Sequence, residues 1–267
     1  MKEFTVREDT TLKTFTDNYY AQASFCFRTL LKAREIRVNG ARVSADMPLK
    51  QGDIVRYFLT PKQESRAAFS VVYEDGNVIV ADKENGVNSE AVFSALGERG
   101  ETYFIHRLDR NTAGLLVFAK NAEAEGELLS AFRDRRVEKI YLARVVGCPK
   151  EKHAVCTAYL KKDAAVSRVR VSSKPVGEKI ITEYEVLEGG ETSLLRVTLH
   201  TGKTHQIRAH LAFLGFPIVG DEKYGDGAYN RAHNAVRQKL VAKRLTLHCA
   251  GALAYLDGRS FLSSHEV

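Results

Sequence analysis

The sequence predicts an α+β protein whose larger domain is built around a mixed, largely antiparallel sheet. Two patterns indicate this class: short apolar or alternating segments of strand length separated by tight turns, and segments with helix-capping residues placed between them. The chain has 267 residues, of which 44% are hydrophobic, which is enough for a substantial core. We expect a small α/β domain over residues 1–60, a linker over 61–69 and the larger domain over 70–267.

Turn signals define the elements of the small domain. The apolar stretch from Phe15 to Leu31 predicts a helix. Asn39-Gly40 lies between two short β-type runs and predicts a hairpin. Gly52-Asp53 predicts a turn that leads into a strand, and the polar stretch after Thr60 is typical of a linker.

The larger domain alternates strands with a few helices. Asn88 or Ser89 is expected to cap a short helix that ends near Gly97, and Asn121 to cap a helix that runs through Arg136. We expect Thr204 to cap a further helix that ends at Leu214. Two strands flank a turn at residues 75–77, and the remaining strands are predicted over Leu115–Ala119, Glu138–Val146, Ile180–Leu187, Leu194–His200 and Leu245–Leu256.

The charge distribution favours a polyanionic partner. The chain has 40 Lys and Arg against 33 Asp and Glu, a net charge of +7 and a pI near 9.2. Basic side chains are concentrated over residues 28–56 and again over 231–244, where no acid occurs. Two separated basic segments can hold a phosphate backbone on both sides of a site, and each can equally be a solvated surface. The contact candidates are Lys32, Arg34, Arg37, Arg42, Arg237 and Lys239.

Cysteine placement indicates a reducing compartment. The four cysteines are scattered without a Cys-x-x-Cys pair, at Cys26, Cys148, Cys156 and Cys249. We expect reduced thiols rather than a disulfide framework or a zinc site. No stretch has the apolar length that crossing a bilayer requires, and residues 1–11 lack the apolar part of a secretion signal. These observations predict a cytoplasmic protein.

The stretch that begins at His106 carries the strongest signal for chemistry. Together with Arg107, Asp109 and Arg110 it forms a charged cluster, which a Thr-Ala-Gly turn joins to the apolar run Leu115–Ala119. This arrangement places a carboxylate at the edge of a rigid core. Positive charge on both sides favours the ionised form of the carboxyl group, which suits a nucleophile better than a general acid. The alternative is a surface ion-pair patch at the start of a strand.

Two further segments place polar side chains at the ends of regular elements. The alternating strand from Lys139 to Gly147 puts Tyr141 on one face, where an aromatic that packs in the sheet is the ordinary interpretation. The strand that ends at Gly202 leads directly into a helix. The N–H groups at the start of that helix, with Lys203, His205 and Arg208 nearby, are suited to bind a phosphate or a carboxylate.

The histidines of this segment do not predict a metal site. His200, His205 and His210 recur every five residues, which spreads them around the helix. A zinc-binding helix instead pairs two histidines at positions i and i+4 on one face. We therefore expect no bound metal.

The three segments, in this order, resemble motifs of the RluA family of RNA pseudouridine synthases. The resemblance rests on His-Arg-Leu-Asp before Thr-Ala-Gly, on Lys-x-Tyr-x-Ala-x-Val-x-Gly, and on Thr-Gly-Lys-Thr-His-Gln-Ile-Arg-x-His. Ala113 replaces the usual Ser of the first motif and Lys203 the usual Arg of the third. The loop at 215–225 and the Leu-x-Leu-His run at 245–248 are also similar. After Lys83 the family usually continues Pro-x-Gly, whereas this chain continues Glu-Asn-Gly.

The resemblance implies an enzyme that isomerises specific uridines in structured RNA, with ribosomal RNA favoured over transfer RNA. It assigns Asp109 as the catalytic carboxylate, Tyr141 as the ring that stacks on the target base, and Arg208 as the partner of Asp109. It leaves open whether the carboxylate attacks the sugar or removes its 2′ proton. The side chains that it implies around the substrate are His106, Arg107, Arg110, Lys203, His205, Gln206 and Leu247.

The implied reaction also limits the partners. An isomerisation neither oxidises nor hydrolyses its substrate, so we expect no cofactor, and we expect a monomer that binds RNA and no membrane. Residues 11–59 resemble the small RNA-binding module named after a protein of the small ribosomal subunit, which often precedes catalytic domains of this family. Its helical part, residues 14–28, departs from the module's usual Ser-Arg signature.

Two other functions stay open from the sequence. One is a catalytically silent RNA-binding or ribosome-assembly factor on the same scaffold, which would have no chemical need for Asp109, Tyr141 and Arg208 together. The other is a glycoside hydrolase with paired carboxylates, such as Asp109 and Asp221. A hydrolase gives no reason for the basic N-terminal segment.

Overall fold

The computed structural model describes residues 1–163 and 168–267. Within that part of the chain, a small N-terminal unit contains a four-stranded sheet and a two-stranded ribbon, and a larger domain contains an eleven-stranded mixed sheet. The predicted α+β class is confirmed. None of the helices in the described ranges combines the length and the apolar character that crossing a bilayer requires.

The N-terminal unit forms around a hairpin that the sequence predicted. Its elements are β1 (Lys2–Thr5), β2 (Thr10–Thr11), α1 (Leu12–Tyr19), α2 (Ala21–Phe25), α3 (Phe27–Ala33), β3 (Ile36–Val38), β4 (Ala41–Arg42), β5 (Pro48–Leu49) and β6 (Ile54–Tyr57). Asn39 and Gly40 both have positive φ, 50° and 86°, as a two-residue hairpin turn requires. Strand β1, which was not predicted, pairs with β6.

The single helix expected from Phe15 to Leu31 was wrong. The chain makes three short helices there, because Tyr20 (φ −141°, ψ 87°) and Cys26 (φ −122°, ψ 20°) both leave the helical conformation. The apolar side chains still face one core, in which Phe15 and Leu31 are both buried. Periodicity alone therefore located the buried face and missed the breaks.

The expected linker contains a helix of its own. Helix α4 (Pro61–Glu64) begins after Thr60, whose hydroxyl accepts the backbone N–H of Gln63, while the Gln63 side chain accepts the backbone N–H of Thr60. This reciprocal capping box has the sequence signature Thr-x-x-Gln, from which the start of the helix could be predicted. The boundaries expected at 60 and 70 stay a prediction.

The larger domain is a single large sheet with helices on its faces and edges. Its elements are β7 (Phe69–Glu74), β8 (Val78–Lys83), α5 (Ser89–Gly97), β9 (Tyr103–Phe104), β10 (Ala113–Ala119), α6 (Ala122–Arg133), β11 (Val137–Val146), β12 (His153–Asp163), β13 (Arg168–Ser172), β14 (Glu178–Glu188), β15 (Thr192–Leu199), α7 (Gln206–Phe213), α8 (Gly227–Ala232), β16 (Leu240–Leu247) and β17 (Arg259–Leu262). The strand order is β13-β12-β14-β15-β11-β16-β10-β8-β7, with β17 beside β16 and β9 beside β10. Among the described strands, β10 and β16 form the parallel pair.

Three boundaries differ from expectation. Thr204 does not cap α7, because the helix begins at Gln206 and His205 precedes it with a φ of +54°. The last long strand runs over Leu240–Leu247 and not to Leu256, since residues 251–256 form a 3₁₀ turn. Strands β12 and β13 were not predicted, and α6 ends at Arg133 instead of Arg136. Because residues 237–244 are rich in lysine and arginine, the first half of β16 was not predicted as a strand, although most of β16 is buried.

The N-terminal unit packs against the larger domain. Helix α1 lies against α5, and Asn88 Nδ2 donates to Asn18 Oδ1 at 2.9 Å. Ala21 of α2 belongs to the apolar core of the larger domain, together with Ala68 of the connecting segment. The segment that connects the two parts is therefore packed against the larger domain at Ala68.

Gly114 permits the close approach of the two parallel strands. Its φ is +113°, and a Cβ atom built there would lie 2.4 Å from the carbonyl oxygen of Ala242 on β16. Real Cβ atoms do not approach a backbone oxygen this closely, so any side chain would push β10 away from β16. Because β10 follows directly after the Asp109 loop, this glycine also fixes where that loop leaves the sheet.

Gly114→Ala is expected to lower the free energy of unfolding by about 3 kcal/mol or more, since it combines a clash with a disfavoured φ. Urea denaturation measures this loss. Gly126→Ala in α6 is the matched control, because a Cβ there would meet open space and alanine favours the helix by about 0.5–1 kcal/mol. Equal denaturation midpoints for the two variants would contradict the packing described here.

Candidate active site

A cavity of about 880 Å³ opens where the loop before β10, the start of β11 and the turn between β15 and α7 meet. Its size falls within the range of roughly 300–1,000 Å³ that small-molecule sites have. The three segments singled out in the sequence all reach this cavity. They bring Asp109, Tyr141 and Arg208 to its wall, so the structure collects the three expected catalytic side chains at one site.

Arg208 joins two carboxylates at the cavity wall. Its Nη1 donates to Asp109 Oδ2 at 2.8 Å, while its Nε and Nη2 donate to the two oxygens of Asp221 at 2.7 and 2.9 Å. The exposed fraction of the side chain falls from 24% for Asp109 to 9% for Arg208 and 0% for Asp221. Asp109 is therefore the carboxylate that faces the cavity, with a guanidinium behind it to balance its charge.

Asp221 anchors this arrangement from inside the protein. Its Oδ1 also accepts the backbone N–H groups of Lys223 and Tyr224 at 2.8 and 3.0 Å. Burial opposes ionisation most strongly, but the hydrogen bonds and charge of Arg208 and the two backbone N–H groups together outweigh it, so the pKa of Asp221 lies below its usual value. For Arg208, too, the attraction of Asp221 and Asp109 outweighs burial and raises the pKa. Asp221 does not line the cavity and so cannot supply the second acid that a glycoside hydrolase needs.

Tyr141 reaches the cavity from β11. Its side chain is 8% exposed, and burial, reinforced by the charge of Asp109, raises its pKa. The side chain is therefore a neutral phenol at physiological pH, and it lies at the cavity wall.

The expectation for Leu247 was wrong. Leu247 is fully buried in the apolar cluster beneath α6, and Leu240 lines the cavity instead. Both residues lie on β16, where the register places Leu247 opposite Val137 and Ala242 opposite Tyr141. The similarity of the Leu-x-Leu-His run suggested the cavity, but Leu247 lies on the face of β16 that packs against α6.

Arg107 and Arg110 do not flank the Asp109 carboxylate as the sequence suggested. Arg107 points to the cavity mouth, where it is largely exposed and pairs with Glu90 at 3.0 Å. Arg110 leaves the cavity and forms an ion pair with Asp17 of the N-terminal unit. The cation at Asp109 is Arg208, which lies 99 residues further along the chain. Arg107 remains placed to meet a substrate, whereas Arg110 does not line the cavity.

His106 anchors the Asp109 loop (residues 105–112) from the cavity wall. Its Nε2 accepts the backbone N–H of Val117 at 3.1 Å, and its ring stacks on Phe132 with centroids 4.5 Å apart. Burial lowers the pKa of His106 to about 3. The ring is therefore neutral and carries its proton on Nδ1.

Gln206 supports the turn before α7. It is buried, accepts from the Thr201 hydroxyl at 2.9 Å and the Lys203 N–H at 3.1 Å, and donates to Ile181 O at 3.1 Å and Thr182 Oγ1 at 3.0 Å. These bonds occupy both ends of the amide. Gln206 was expected to contact the substrate; it lines the cavity, and its side-chain amide supports the turn.

His205 and Lys203 lie on the same turn and reach the cavity. His205 has a left-handed backbone conformation, which is rare outside glycine and concentrates at functional sites. Its Nδ1 lies 3.0 Å from the Tyr224 hydroxyl and its Nε2 3.8 Å from Asp109 Oδ1. Burial lowers the pKa of His205, against the opposing charge of Asp109. Lys203 pairs with Glu178 at the cavity edge.

A basic rim surrounds the cavity, and sequence reasoning missed most of it. Its members share exposure to the cavity and positive charge, and they are Arg107, Arg133, Arg135, Lys139, Lys162, Lys179 and Lys203. Among the described lining residues, Asp109 and Glu178 are the acids. The missed members come from the end of α6 and from the ends of β11, β12 and β14, which are far apart in sequence. Their signal is visible only once the sheet is assembled.

Lys83 was also not predicted from the sequence. It is fully buried, and its ammonium donates to the carbonyl oxygens of Glu84 at 3.0 Å, Val87 at 2.8 Å and Arg110 at 3.2 Å. Burial lowers its pKa to about 7, against the attraction of Asp109. Lys83 thus connects the 84–87 loop, where the chain departs from the family pattern, to the Asp109 loop.

The remaining basic candidates lie outside the cavity. In the N-terminal unit, Lys32, Arg34 and Arg42 are exposed and Arg37 is half-buried. Arg37 and Arg42 are direct cross-strand neighbours on the hairpin. In the larger domain, Arg237 is exposed and Lys239 half-buried. Gln238 between them donates to Thr112 of the Asp109 loop at 2.9 Å, so this stretch contacts that loop.

The three histidines considered for metal binding have separate protein partners. His200 contacts Glu183 at 2.7 Å, His205 contacts Tyr224, and buried His210 contacts Thr182 at 3.0 Å. One ring nitrogen of each histidine is thus engaged, by a different partner in each case. All four cysteines are free thiols.

Comparisons with known proteins identify the family of this chain. The family model described as RNA pseudouridylate synthase matches residues 77–213. Ribosomal large subunit pseudouridine synthase C of Vibrio parahaemolyticus is 34% identical over 253 residues, which cover 85% of this chain and 78% of that protein. Ribosomal large subunit pseudouridine synthase D of Borreliella burgdorferi is 33% identical over 190 residues, covering 62% and 58%.

Solved structures give the same result. Human RNA pseudouridylate synthase domain containing 1 superposes with a TM-score of 0.61 at 29% identity, covering 68% of this chain and 81% of that one. Human RNA pseudouridylate synthase domain containing 4 gives a TM-score of 0.58 at 22% identity and shows the shared fold, over 74% of this chain and 88% of that one.

The chain belongs to the RNA pseudouridylate synthase family, and the expected RluA membership is confirmed. It is an RNA pseudouridine synthase, an isomerase that converts uridine to pseudouridine in RNA.

Proposed function

We propose that this synthase modifies uridines of ribosomal RNA and that Asp109 is its catalytic carboxylate. The observation that carries the proposal is the ion pair of Asp109 with buried Arg208, inside a cavity that also presents Tyr141 and a basic rim. The names of two relatives, both ribosomal large subunit pseudouridine synthases, support ribosomal RNA as the substrate class.

The reaction exchanges one bond of the nucleoside for another. The bond between uracil N1 and sugar C1′ breaks, the uracil turns, and a bond forms between C5 and C1′. The proton of C5 leaves and N1 gains one, so atoms and electrons balance without an oxidant or a water. Asp109 starts this sequence either by attack on C1′ or by removal of the 2′ proton. Both routes need an ionised carboxylate that faces the sugar, which Arg208 holds in place.

The cavity requires the target uridine to leave its stack, because the Asp109 carboxylate is set back from the surface. Tyr141 then offers a ring for the extruded base, and the walls around it exclude water from the detached uracil. The basic rim meets the phosphates on either side of the flipped nucleotide. Sequence-specific recognition of RNA commonly uses loops and bulges whose bases can be splayed out.

The N-terminal unit is proposed as a second RNA contact through Lys32, Arg34, Arg37 and Arg42, and the stretch with Arg237 and Lys239 as a further one. We also propose that the protein works as a monomer in the cytoplasm. The four free cysteines support a reducing compartment.

Pseudouridine mapping tests the proposed function. Total RNA from cells that lack the protein, complemented with the wild type or with Asp109→Asn, is treated with carbodiimide and read by primer extension. We expect specific ribosomal uridines to lose modification without the protein and to regain it only with the wild type. Loss confined to transfer RNA would overturn the substrate class. Restoration by Asp109→Asn would point to a silent binding factor beside another enzyme.

The basic rim gives a prediction about salt. Lys162→Gln with Lys179→Gln should weaken RNA binding and reduce the slope of log K against log salt by about 0.7 for each lost phosphate contact. Filter binding over a range of salt concentrations measures the slope. The matched control is Lys150→Gln with Lys152→Gln, which removes two exposed lysines that do not line the cavity. Equal slopes for the two double variants would contradict a role of the rim in holding phosphates.

A further inference from the structure

The residue after the catalytic carboxylate is held by the N-terminal unit. Arg110 forms an ion pair with Asp17 of α1, and its Nη2 donates to the Ser24 hydroxyl at 3.0 Å. The Ser24 hydroxyl in turn donates to Asp17. The three side chains close a ring of charge-assisted hydrogen bonds between the two parts of the protein, and such bonds are stronger than neutral ones.

Asp17 and Arg110 each have further contacts that hold them in place. The Asp17 side chain is 12% exposed and also pairs with Lys13 one helical turn earlier. The backbone carbonyl of Arg110 accepts from Lys83 Nζ at 3.2 Å and from the Gly86 N–H at 2.9 Å. Arg110 is thus held through its side chain by the N-terminal unit and through its backbone by the larger domain.

The position of Asp109 depends on this double attachment. On one side its carboxylate is held by Arg208. On the other side its main chain continues directly into Arg110. A loop that loses one of its attachments can shift, and a shift of about 1 Å in a reacting group can cost about 100-fold in rate.

We propose that Asp17 and Ser24 are positioning residues, through which the N-terminal unit holds Arg110 and fixes the aim of Asp109. This inference rests on the proposed role of Asp109. It makes the N-terminal unit a part of the active-site scaffold in addition to an RNA contact. The unit then acts on the rate of the chemical step and not only on the affinity for RNA.

The test separates rate from affinity. The full-length Asp17→Asn variant is compared with wild type for the single-turnover rate at saturating enzyme and for the Kd of the same RNA. We expect the rate to fall about 10-fold or more, with the Kd unchanged. Asp9→Asn is the matched control, since Asp9 lies in the same unit and pairs with Lys50 on the surface. Asp17→Glu, which can restore the ion pair, should recover part of the rate.

A double-variant cycle tests the connection to Arg110. If Asp17 acts through that side chain, Asp17→Asn with Arg110→Gln should lose no more rate than Arg110→Gln alone. Additive losses would overturn the inference. Should Asp17→Asn fold poorly by thermal denaturation, Ser24→Ala makes the same comparison with a smaller change.

Three results of the rate and affinity measurements would also overturn the inference. An inactive wild type would remove the proposed function and this inference with it. An active wild type with Asp17→Asn at the same rate would remove the inference alone. A raised Kd with an unchanged single-turnover rate would show that the N-terminal unit only holds RNA.

Discussion

Asp109→Asn is expected to abolish pseudouridine formation while the fold and the RNA affinity persist. Asparagine has nearly the same shape and keeps an oxygen that can accept from Arg208, so the packing of the loop is retained. It has no negative charge to attack the sugar or to take its proton. We expect the single-turnover rate to fall by about 10⁴-fold or more, as for other catalytic groups that act directly on the substrate.

Nucleoside chromatography after digestion of the RNA measures this loss. Asp257→Asn is the matched control, since Asp257 is an exposed aspartate whose side-chain partner is His248 and which does not line the cavity. We expect this variant to keep the wild-type rate. Asp109→Asn with a rate within tenfold of wild type would contradict the assignment of Asp109.

Two variants of Arg208 should separate its role in stability from its role in catalysis. Arg208→Gln leaves Asp221 buried with its charge uncompensated, and we expect a loss of about 3–5 kcal/mol in the free energy of unfolding. Arg208→Lys keeps a positive charge, but an ammonium cannot replace the fork that serves Asp109 and Asp221 together. We expect a smaller loss of stability for lysine and a rate about 100-fold below wild type.

Urea denaturation and single-turnover kinetics measure the two effects. Adding Asp221→Asn to Arg208→Gln removes the uncompensated charge, so stability should recover in part while activity stays low. Recovery of activity together with stability would mean that Arg208 serves the fold alone. A stable and fully active Arg208→Gln variant would contradict the ion-pair arrangement altogether.

The sequence predicted those parts of the fold that local chemistry decides. The hairpin at Asn39-Gly40 follows from the positive φ that both residues tolerate, and α6 begins after Asn121, whose side chain caps it. The helix expected to start at Thr204 shows the limit of such reasoning. The chain turns through a left-handed residue at His205. Its ring contacts the Tyr224 hydroxyl, and the next residue, Gln206, is bonded to β14 through its side chain.

The sequence predicted the site residues that belong to a motif. It did not predict those that come together only when the sheet forms. Asp109, Tyr141 and Arg208 meet at one cavity as expected. The neighbours of Asp109 in sequence are not its neighbours in space, because the loop turns Arg110 toward Asp17. No local pattern shows that direction. The basic rim escaped for the same reason, since its lysines and arginines are spread over several elements.

In the proposed mechanism, Asp109, held by Arg208, starts the isomerisation of uridine in RNA. The most direct test is release of tritium from ribosomal RNA that is labelled at uridine C5 and prepared from cells lacking the protein. Purified wild type, with a chelator present, should release tritium in proportion to the pseudouridine formed, and Asp109→Asn should release none. Release by Asp109→Asn at the wild-type rate, or no release by the wild type, would contradict the claim.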